Sequence, residues 1–218
     1  MLIDGQGCWM RAYADPARFT QRAALFLDRD GVLILDKGYV GDPDAVALCP
    51  GAADLVRSAN VSGVPAIIVT NQSGIGRGCY GWREFDAVNG RMRELLAKGG
   101  AAIDAIFACA WHAKALPAYC KRAHPWRKPR PGMLKAAEEL LGIRLCGSWM
   151  VGDRHTDMRA ARAAGLAGGV LVRGGPRAAT CRQRGGFVLR SVPVLNGETG
   201  GQVVSAIRSQ VQLAGAGA

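Results

Sequence analysis

The sequence predicts an α/β fold: a three-layer open sheet of parallel strands with helices on both faces, of the Rossmann type and without a separate cap domain. Short apolar runs alternate along the chain with amphipathic segments of helical periodicity. Several of the runs end in polar residues, as strands buried on both faces do at a sheet edge. The predicted strands span 23–28, 65–71, 103–108, 148–151 and about 169–173, and the main predicted helices span about 51–60, 82–98, 132–141 and 156–164.

Length and composition indicate one domain preceded by a short arm. The 218 residues are 49% hydrophobic, which is enough for one good core. Residues 1–22 show no clear periodicity, so we interpret them as an arm and residues 23–218 as a single domain. The seven cysteines have no framework spacing, as in proteins of a reducing compartment. We expect a cytoplasmic protein with no signal peptide and no membrane span, and a monomer.

The net charge of +11 fits either a nucleic acid or a small anionic substrate as partner. Much of the excess lies at 121–135, which contains six basic residues and no acidic one. This stretch contains proline and glycine rather than heptads or strands in which aromatic residues alternate with basic ones. We therefore interpret it as a loop that handles a small anion, and we do not expect nucleic acid as the partner.

Asp28 ends the first predicted strand, and Asp30 lies two residues further on. Side chains two positions apart on a strand point the same way, so the two carboxylates project together at its carboxyl end. Paired carboxylates repel each other and favour a hard cation such as Mg²⁺. The alternative from the residues alone is a helix-capping aspartate beside a solvated neighbour.

Other predicted strands also end in polar residues. Thr70 and Asn71 close the second strand, and Asp153 follows the fourth. Ligands of open α/β sheets bind at this edge. The glycine-rich segment 72–78 after Asn71 fits a loop whose backbone N–H groups face an anion, with an ordinary turn as the alternative.

Residues 109–130 form a long stretch without periodicity, which in a compact domain indicates a functional or anchored loop. Lys128 lies near its end. Four residues of metal-ligating type lie within it, Cys109, His112, Cys120 and His124, and such a set could bind zinc. Two buried thiols and two ordinary histidines are the alternative.

Taken together, these motifs resemble the haloacid dehalogenase (HAD) superfamily of phosphotransferases. The resemblance covers about 23–175 and rests on FLDRDG at 26–31, VTN at 69–71, RKP at 127–129 and VGD at 151–153. The chain is similar more specifically to the D-glycero-D-manno-heptose 1,7-bisphosphate phosphatases and the related histidinol-phosphatases. That similarity adds KGYV at 37–40, TNQSGI at 70–75 with Arg77, RKPRPGM at 127–133, and Asp157 with Met158.

The resemblance implies a HAD-like fold and a mechanism. Asp28 would be the nucleophile that forms an aspartyl-phosphate, and Asp30 would be the general acid and base. Lys128 would neutralise the charge of the nucleophile and the phosphate. Mg²⁺ would be held by Asp28, the backbone carbonyl of Asp30, and Asp153.

The same resemblance assigns substrate-binding residues. Thr70 and the backbone of Asn71 would hold the reacting phosphate. Arg77, Arg127 and Arg154 would contact the substrate, with Arg127 reaching a second phosphate or a sugar. Arg154 stands where lysine is more usual, which keeps the charge but changes the geometry.

The expected reaction is removal of the 7-phosphate of a heptose bisphosphate. Histidinol phosphate and a 3′-phosphorylated polynucleotide are alternative substrates, and a phosphate-binding module without catalysis is the non-enzymatic alternative. The family's zinc loop carries a Cys-x-His pair and a Cys-x-Cys pair. Here Trp111 stands in place of the histidine, and His124 with Trp126 replaces the second pair. The usual set of ligands is therefore incomplete, and Cys109, His112, Cys120 and His124 form a different set that zinc would accept.

Overall fold

The computed structural model describes residues 1–174 and 179–215, and it has one eight-stranded sheet. The strand order across the sheet is β1-β4-β3-β2-β5-β6-β8-β7. The six strands from β4 to β8 in this order are parallel, while β1 and β7 pair antiparallel at the two edges. The strands are β1 (Cys8–Ala12), β2 (Leu25–Leu27), β3 (Ala66–Asn71), β4 (Ala105–Cys109), β5 (Trp149–Gly152), β6 (Gly168–Val172), β7 (Thr180–Arg184) and β8 (Phe187–Val192).

Helices cover both faces of the sheet, which confirms the predicted three-layer α/β class. One apolar cluster packs α1, α3 and α6 against the sheet, and a second packs α4 and α5 against its other face. The helices are α1 (Ala52–Val61), α2 (Ser73–Gly76), α3 (Trp82–Lys98), α4 (Gly132–Leu141), α5 (His155–Ala164) and α6 (Gly197–Gly215). None of the described helices is both long enough and apolar enough to cross a bilayer.

The central strands follow from their composition. The side chains of β2, β4 and β5 are buried along their whole length, as the uninterrupted apolar runs predict. Two local predictions are wrong. The glycine-rich segment after Asn71, predicted as a loop or a turn, contains the single-turn helix α2, and α5 begins at His155, one residue before its predicted start. The backbone N–H of Arg154 donates to the Asp157 carboxylate there, so Asp157 closes the first turn.

The two edge strands, β1 and β7, were not predicted from the sequence. β1 lies in the expected arm and pairs antiparallel with β4, with Cys8 opposite Cys109 and Ala12 opposite Ala105. β7 pairs with β8 and is exposed throughout, so its polar sequence resembles a linker. Both segments are too short to show a periodic pattern. Pairing with a partner strand, and not a pattern of their own, defines them as strands. The division into residues 1–22 and a domain at 23–218 stays a proposal, with the first segment paired to the sheet.

Candidate active site

Three carboxylates meet at the carboxyl ends of the central strands. Asp28 follows β2, Asp153 follows β5, and Asp157 lies in the first turn of α5. One carboxylate oxygen from each lies within 4.8 Å of the others, and Asp28 and Asp157 are buried. Because β2 and β5 are adjacent parallel strands, their ends present both aspartates to one point.

Lys128, near the end of the loop at 109–130, reaches these carboxylates. Its Nζ lies 2.9 Å from Asp28 Oδ2 and 2.7 Å from Asp157 Oδ1, and it donates to the Val69 carbonyl at 2.8 Å. Asn71 holds the lysine backbone from both sides, accepting its N–H and donating to its carbonyl, each at 3.0 Å. The ammonium is therefore fixed between two buried anions. We call Asp28, Lys128, Asp153 and Asp157 the floor of the cleft.

The floor holds more negative than positive charge. Burial raises the pKa of Asp28 to about 7, and Asp157 adds to this while Lys128 opposes it. Burial and then Asp157 also raise the pKa of Asp153. Burial disfavours the charge on Lys128, but Asp157 and Asp28 outweigh it and raise the lysine pKa. Three carboxylates share one ammonium here, so the floor has a net negative charge that a further cation would balance.

Two details favour a cation at this point. Asp153 Oδ1 is buried and has no hydrogen-bond partner among the described residues. Gly31 has a positive φ of 77°, and a Cβ placed there would lie 2.6 Å from Asp153 Oδ2. Only glycine combines that backbone conformation with so close an approach to the carboxylate. The donor set is oxygen-rich and suits Mg²⁺.

The Asp30 carboxylate faces the cleft and is held by a buried network. Arg29, which is fully buried, donates from Nη2 to Asp30 Oδ1 at 3.0 Å and to Gln72 Oε1 at 3.0 Å. Gln72 Nε2 in turn donates to Asp30 Oδ2 and to the Thr70 hydroxyl, each at 2.8 Å. The Tyr80 hydroxyl also donates to Gln72. This network fixes the direction of the Asp30 carboxylate.

Above the floor, a cleft of about 540 Å³ has a basic rim. The rim consists of Arg77, His112, Arg127 and Arg154. Arg127 Nη1 donates to the Trp111 carbonyl at 3.1 Å, and Arg154 Nη2 donates to Asp36 at 3.1 Å. Burial lowers the pKa of Arg127, and nearby Arg77 adds to this.

His112 and Arg77 present two donors to the same space. His112 Nδ1 accepts the Lys114 backbone N–H at 2.9 Å, so the neutral ring carries its proton on Nε2. That Nε2 lies 3.4 Å from Arg77 Nη2, which is also a donor. Burial, followed by Arg127 and Arg77, lowers the pKa of His112. Two converging donors without an acceptor between them fit an anionic group of a ligand.

The structure gathers most of the expected site residues in this cleft. Its lining includes Asp28, Asp30, Asn71, Arg77, Arg127, Lys128 and Arg154. Asp153 joins Asp28 in the carboxylate cluster. The Thr70 side chain lies beneath the surface, with its hydroxyl turned to Gln72.

Five residues of this site were not predicted from the sequence: Arg29, Gln72, Tyr80, His112 and Asp157. An arginine between two aspartates suggests a solvated surface, and only its complete burial identifies it as part of a network. The position of Asp157 three residues after Arg154 is the signal of a helix cap that could have placed it.

The zinc alternative finds no support in the structure. Cys109 is buried, His112 turns to the cleft beside Arg77, and the exposed Cys120 thiol donates to the Ala113 carbonyl. Among the residues described, His124 clusters instead with Asp4 and Cys8. Pairing of β1 with β4 places Cys8 opposite Cys109. The Trp111 ring stacks on His124, with centroids 5.2 Å apart, and the four expected ligands do not form one cluster among the described residues.

Comparisons with known proteins agree with this geometry. Residues 125–202 match the family model described as HAD-hydrolase-like. A D-glycero-beta-D-manno-heptose-1,7-bisphosphate 7-phosphatase of Mesorhizobium japonicum is 44% identical over 168 residues, which are 77% of each chain. The crystal structure of a putative HAD-like phosphatase from Mesorhizobium loti has a TM-score of 0.85 at 38% identity, covering 95% of this chain and 96% of that one.

A D,D-heptose 1,7-bisphosphate phosphatase from B. bronchiseptica, solved in complex with magnesium and phosphate, has a TM-score of 0.63 at 26% identity. The match covers 88% of this chain and 99% of that one. The relative at 44% identity is long enough and similar enough to define the family. The chain therefore belongs to the HAD-like hydrolases, in the group of the heptose-1,7-bisphosphate 7-phosphatases, and is a phosphatase.

Proposed function

We propose that this phosphatase removes the 7-phosphate of D-glycero-D-manno-heptose 1,7-bisphosphate through an aspartyl-phosphate on Asp28. One observation carries the proposal: a buried carboxylate paired with Lys128 lies at the bottom of a cleft whose rim is basic. The floor suits attack on a phosphoryl group, and the rim suits a substrate with a second anionic group. The heptose substrate is the one named for the relatives.

The proposed reaction has two steps on this chain's own residues. In the first, the Asp28 carboxylate oxygen bonds to phosphorus, the bond to the sugar oxygen breaks, and that oxygen takes the proton of Asp30. In the second, Asp30 takes a proton from a water whose oxygen bonds to phosphorus, which releases inorganic phosphate and regenerates Asp28. Lys128 stays charged and neutralises Asp28 and the phosphoryl oxygens.

Mg²⁺ is the proposed metal. Asp28, Asp153 and the backbone carbonyl of Asp30 would hold it, and the unpartnered Asp153 oxygen and the excess negative charge of the floor fit such a cation. When bound, it shields the charge between the anionic nucleophile and the anionic phosphate. The related B. bronchiseptica enzyme binds magnesium together with phosphate.

The remaining residues would bind the substrate. Thr70 and the Asn71 backbone are the proposed contacts of the reacting phosphate, while Arg77, Arg127 and Arg154 would face the remote end. A second phosphate there would gain charge-assisted hydrogen bonds from the arginines. The protonated amine of histidinol phosphate would instead meet the repulsion of several cations, so the rim favours the bisphosphate.

The experiment compares phosphate release with Mg²⁺ on both anomers of the heptose 1,7-bisphosphate, histidinol phosphate and a 3′-phosphorylated DNA strand. We expect kcat/KM for one bisphosphate anomer to exceed that for histidinol phosphate by about tenfold or more. Removal of divalent cations with EDTA should abolish release. Preference for histidinol phosphate would contradict the substrate. Preference for DNA, with activity falling steeply as salt rises, would mean that the net charge of +11 serves nucleic acid.

The setting of the protein also stays a proposal. All seven cysteines are free thiols, which supports a reducing cytoplasm. We propose a monomer, to be tested by light scattering at micromolar concentration.

A further inference from the structure

The N-terminal turn, residues 4–8, is organised around one carboxylate. Asp4 Oδ1 accepts the backbone N–H groups of Gln6, Gly7 and Cys8 at 3.0, 2.8 and 2.8 Å. Asp4 Oδ2 accepts the indole N–H of Trp111 at 2.8 Å. Partial burial works against this charge, but the N–H groups of Cys8, Trp111 and Gln6 hold the pKa of Asp4 well below its usual range.

Trp111 belongs to the substrate-facing loop, residues 109–128, and its ring packs between this turn and His124 of the same loop. Its ring is stacked on His124 at an interplanar angle of 12° and is tilted against Tyr119 at 5.9 Å. Gly7 packs so closely that a Cβ there would lie 2.5 Å from Trp111 Nε1. The ring is thus fixed by a hydrogen bond, a stacking contact and close packing.

The carbonyl of the same residue meets the active site. Trp111 O accepts a hydrogen bond from Arg127 Nη1, and Arg127 lines the cleft. Further contacts bind the turn to the loop: the Gln6 side chain donates to the Ala118 carbonyl, and the Ala110 N–H donates to the Gly7 carbonyl. A continuous path of direct contacts therefore runs from Asp4 through Trp111 to Arg127.

We propose that Asp4 and Trp111 are positioning residues that set the guanidinium of Arg127 for the remote anionic end of the substrate. Neither residue contacts the floor where the phosphoryl group reacts. Their effect therefore falls on substrates that reach Arg127 and spares those that do not. The kinetic part of this inference rests on the proposed function, since it requires a substrate with a second anionic group.

The kinetic test uses Asp4→Ala and Trp111→Phe, which keeps a stacking ring but removes the N–H. Asp44→Ala, an exposed carboxylate on the turn at 43–45, is the matched control. The substrates are the heptose 1,7-bisphosphate and p-nitrophenyl phosphate, which has no second anion. We expect both variants to raise KM for the bisphosphate by about tenfold, with little change in kcat, and to leave the aryl phosphate and the control unaffected.

A double-mutant cycle makes the path specific. In an Arg127→Ala background, Asp4→Ala should no longer raise KM, because the group that it positions is gone. An equal loss on both substrates, or a loss that is the same in both backgrounds, would overturn the positioning role and indicate general structural damage.

Amide hydrogen exchange tests the docking without any substrate. Asp4→Ala should speed exchange across the loop at 109–128 while leaving the central strands β3 and β5 protected. Unchanged exchange in the loop would overturn the inference even if the enzyme is active. Faster exchange in a protein that cleaves neither substrate would place the failure in the proposed function and would support the docking.

Discussion

The floor of the cleft and its rim are built from different kinds of structure. The floor consists of Asp28 and Asp153 at the ends of adjacent parallel strands, together with the buried Asp157 and Lys128, and its geometry depends on the sheet. The rim consists of arginines and a histidine on loops, of which Arg127 donates to the Trp111 carbonyl and Arg154 to Asp36. Chemistry that must be exact is thus placed on the rigid sheet, while substrate choice is left to loops. Substitutions in the floor should therefore affect all substrates, and those in the rim only some.

Loss of the nucleophile should have the largest effect. Asp28→Asn removes the attacking oxygen anion, so we expect turnover of every phosphate ester to fall by about a thousandfold or more. It also relieves the excess negative charge of the floor, so the thermal unfolding temperature should not fall. Phosphate release and circular dichroism check both points. If Asp28→Asn hydrolysed any phosphate ester as fast as the wild type does, the floor would not be the reacting centre.

Loss of the Lys128 ammonium should reduce the stability of the fold as well as the activity. Lys128→Met leaves Asp28 and Asp157 buried without their ammonium partner, which should lower the free energy of unfolding by about 3–5 kcal/mol. Adding Asp157→Asn should recover part of this loss, because one of the two unpaired charges is then absent. Urea denaturation of the single and double variants measures it. A double variant no more stable than Lys128→Met would contradict the charge argument.

The rim should show substrate selectivity instead. Arg127→Ala removes charge-assisted hydrogen bonds of about 1.5–3 kcal/mol, so KM for the bisphosphate should rise about 10- to 100-fold. The rate on p-nitrophenyl phosphate should change little. Arg127→Lys, which keeps the charge but loses the fork of donors, should recover only part of the binding. Equal losses on both substrates would erase the distinction between rim and floor.

The smallest expected effect is a pH dependence of the N-terminal turn. The pKa of Asp4 is lowered from its ordinary 3.8, so its carboxylate stabilises the fold at pH values above that. This contribution is lost as the pH falls through the lowered folded-state pKa. The stability difference between wild type and Asp4→Asn should therefore be constant near neutral pH and shrink in strong acid. Urea midpoints over the acidic range test it, and a difference that persists unchanged would argue that the charge of Asp4 does not matter.

The residues of the floor were easier to predict from the sequence than the contacts of the rim, for a physical reason. Alternation along a strand and the common edge of parallel strands predict that Asp28 and Asp153 meet, without knowledge of any distant contact. Lys128 lies in a loop far along the chain, and only the family resemblance assigned it to the same site as these aspartates. The burial of Arg29 could not be inferred from its polar neighbours.

The environment of the rim depends on pairings that no local pattern encodes. Cys8 lies opposite Cys109 only because β1 adds to the sheet edge, and β1 is too short to show a period. His112 lines the cleft and the Cys120 thiol donates to the Ala113 carbonyl, so the four expected zinc ligands do not form one cluster among the described residues. Ligand types in sequence are therefore a weaker predictor of a metal site than strand ends are of a carboxylate cluster.

The proposed reaction requires that Asp28 carries the phosphoryl group between the two steps. It is tested most directly by acid-quenching the enzyme during turnover of the heptose 1,7-bisphosphate with Mg²⁺ and analysing its peptides by mass spectrometry. We expect a phosphoryl group on the peptide that contains Asp28, present in wild type and absent in Asp28→Asn. Rapid phosphate release by the wild type, together with undiminished turnover by Asp28→Asn and no phosphorylated peptide, would contradict it.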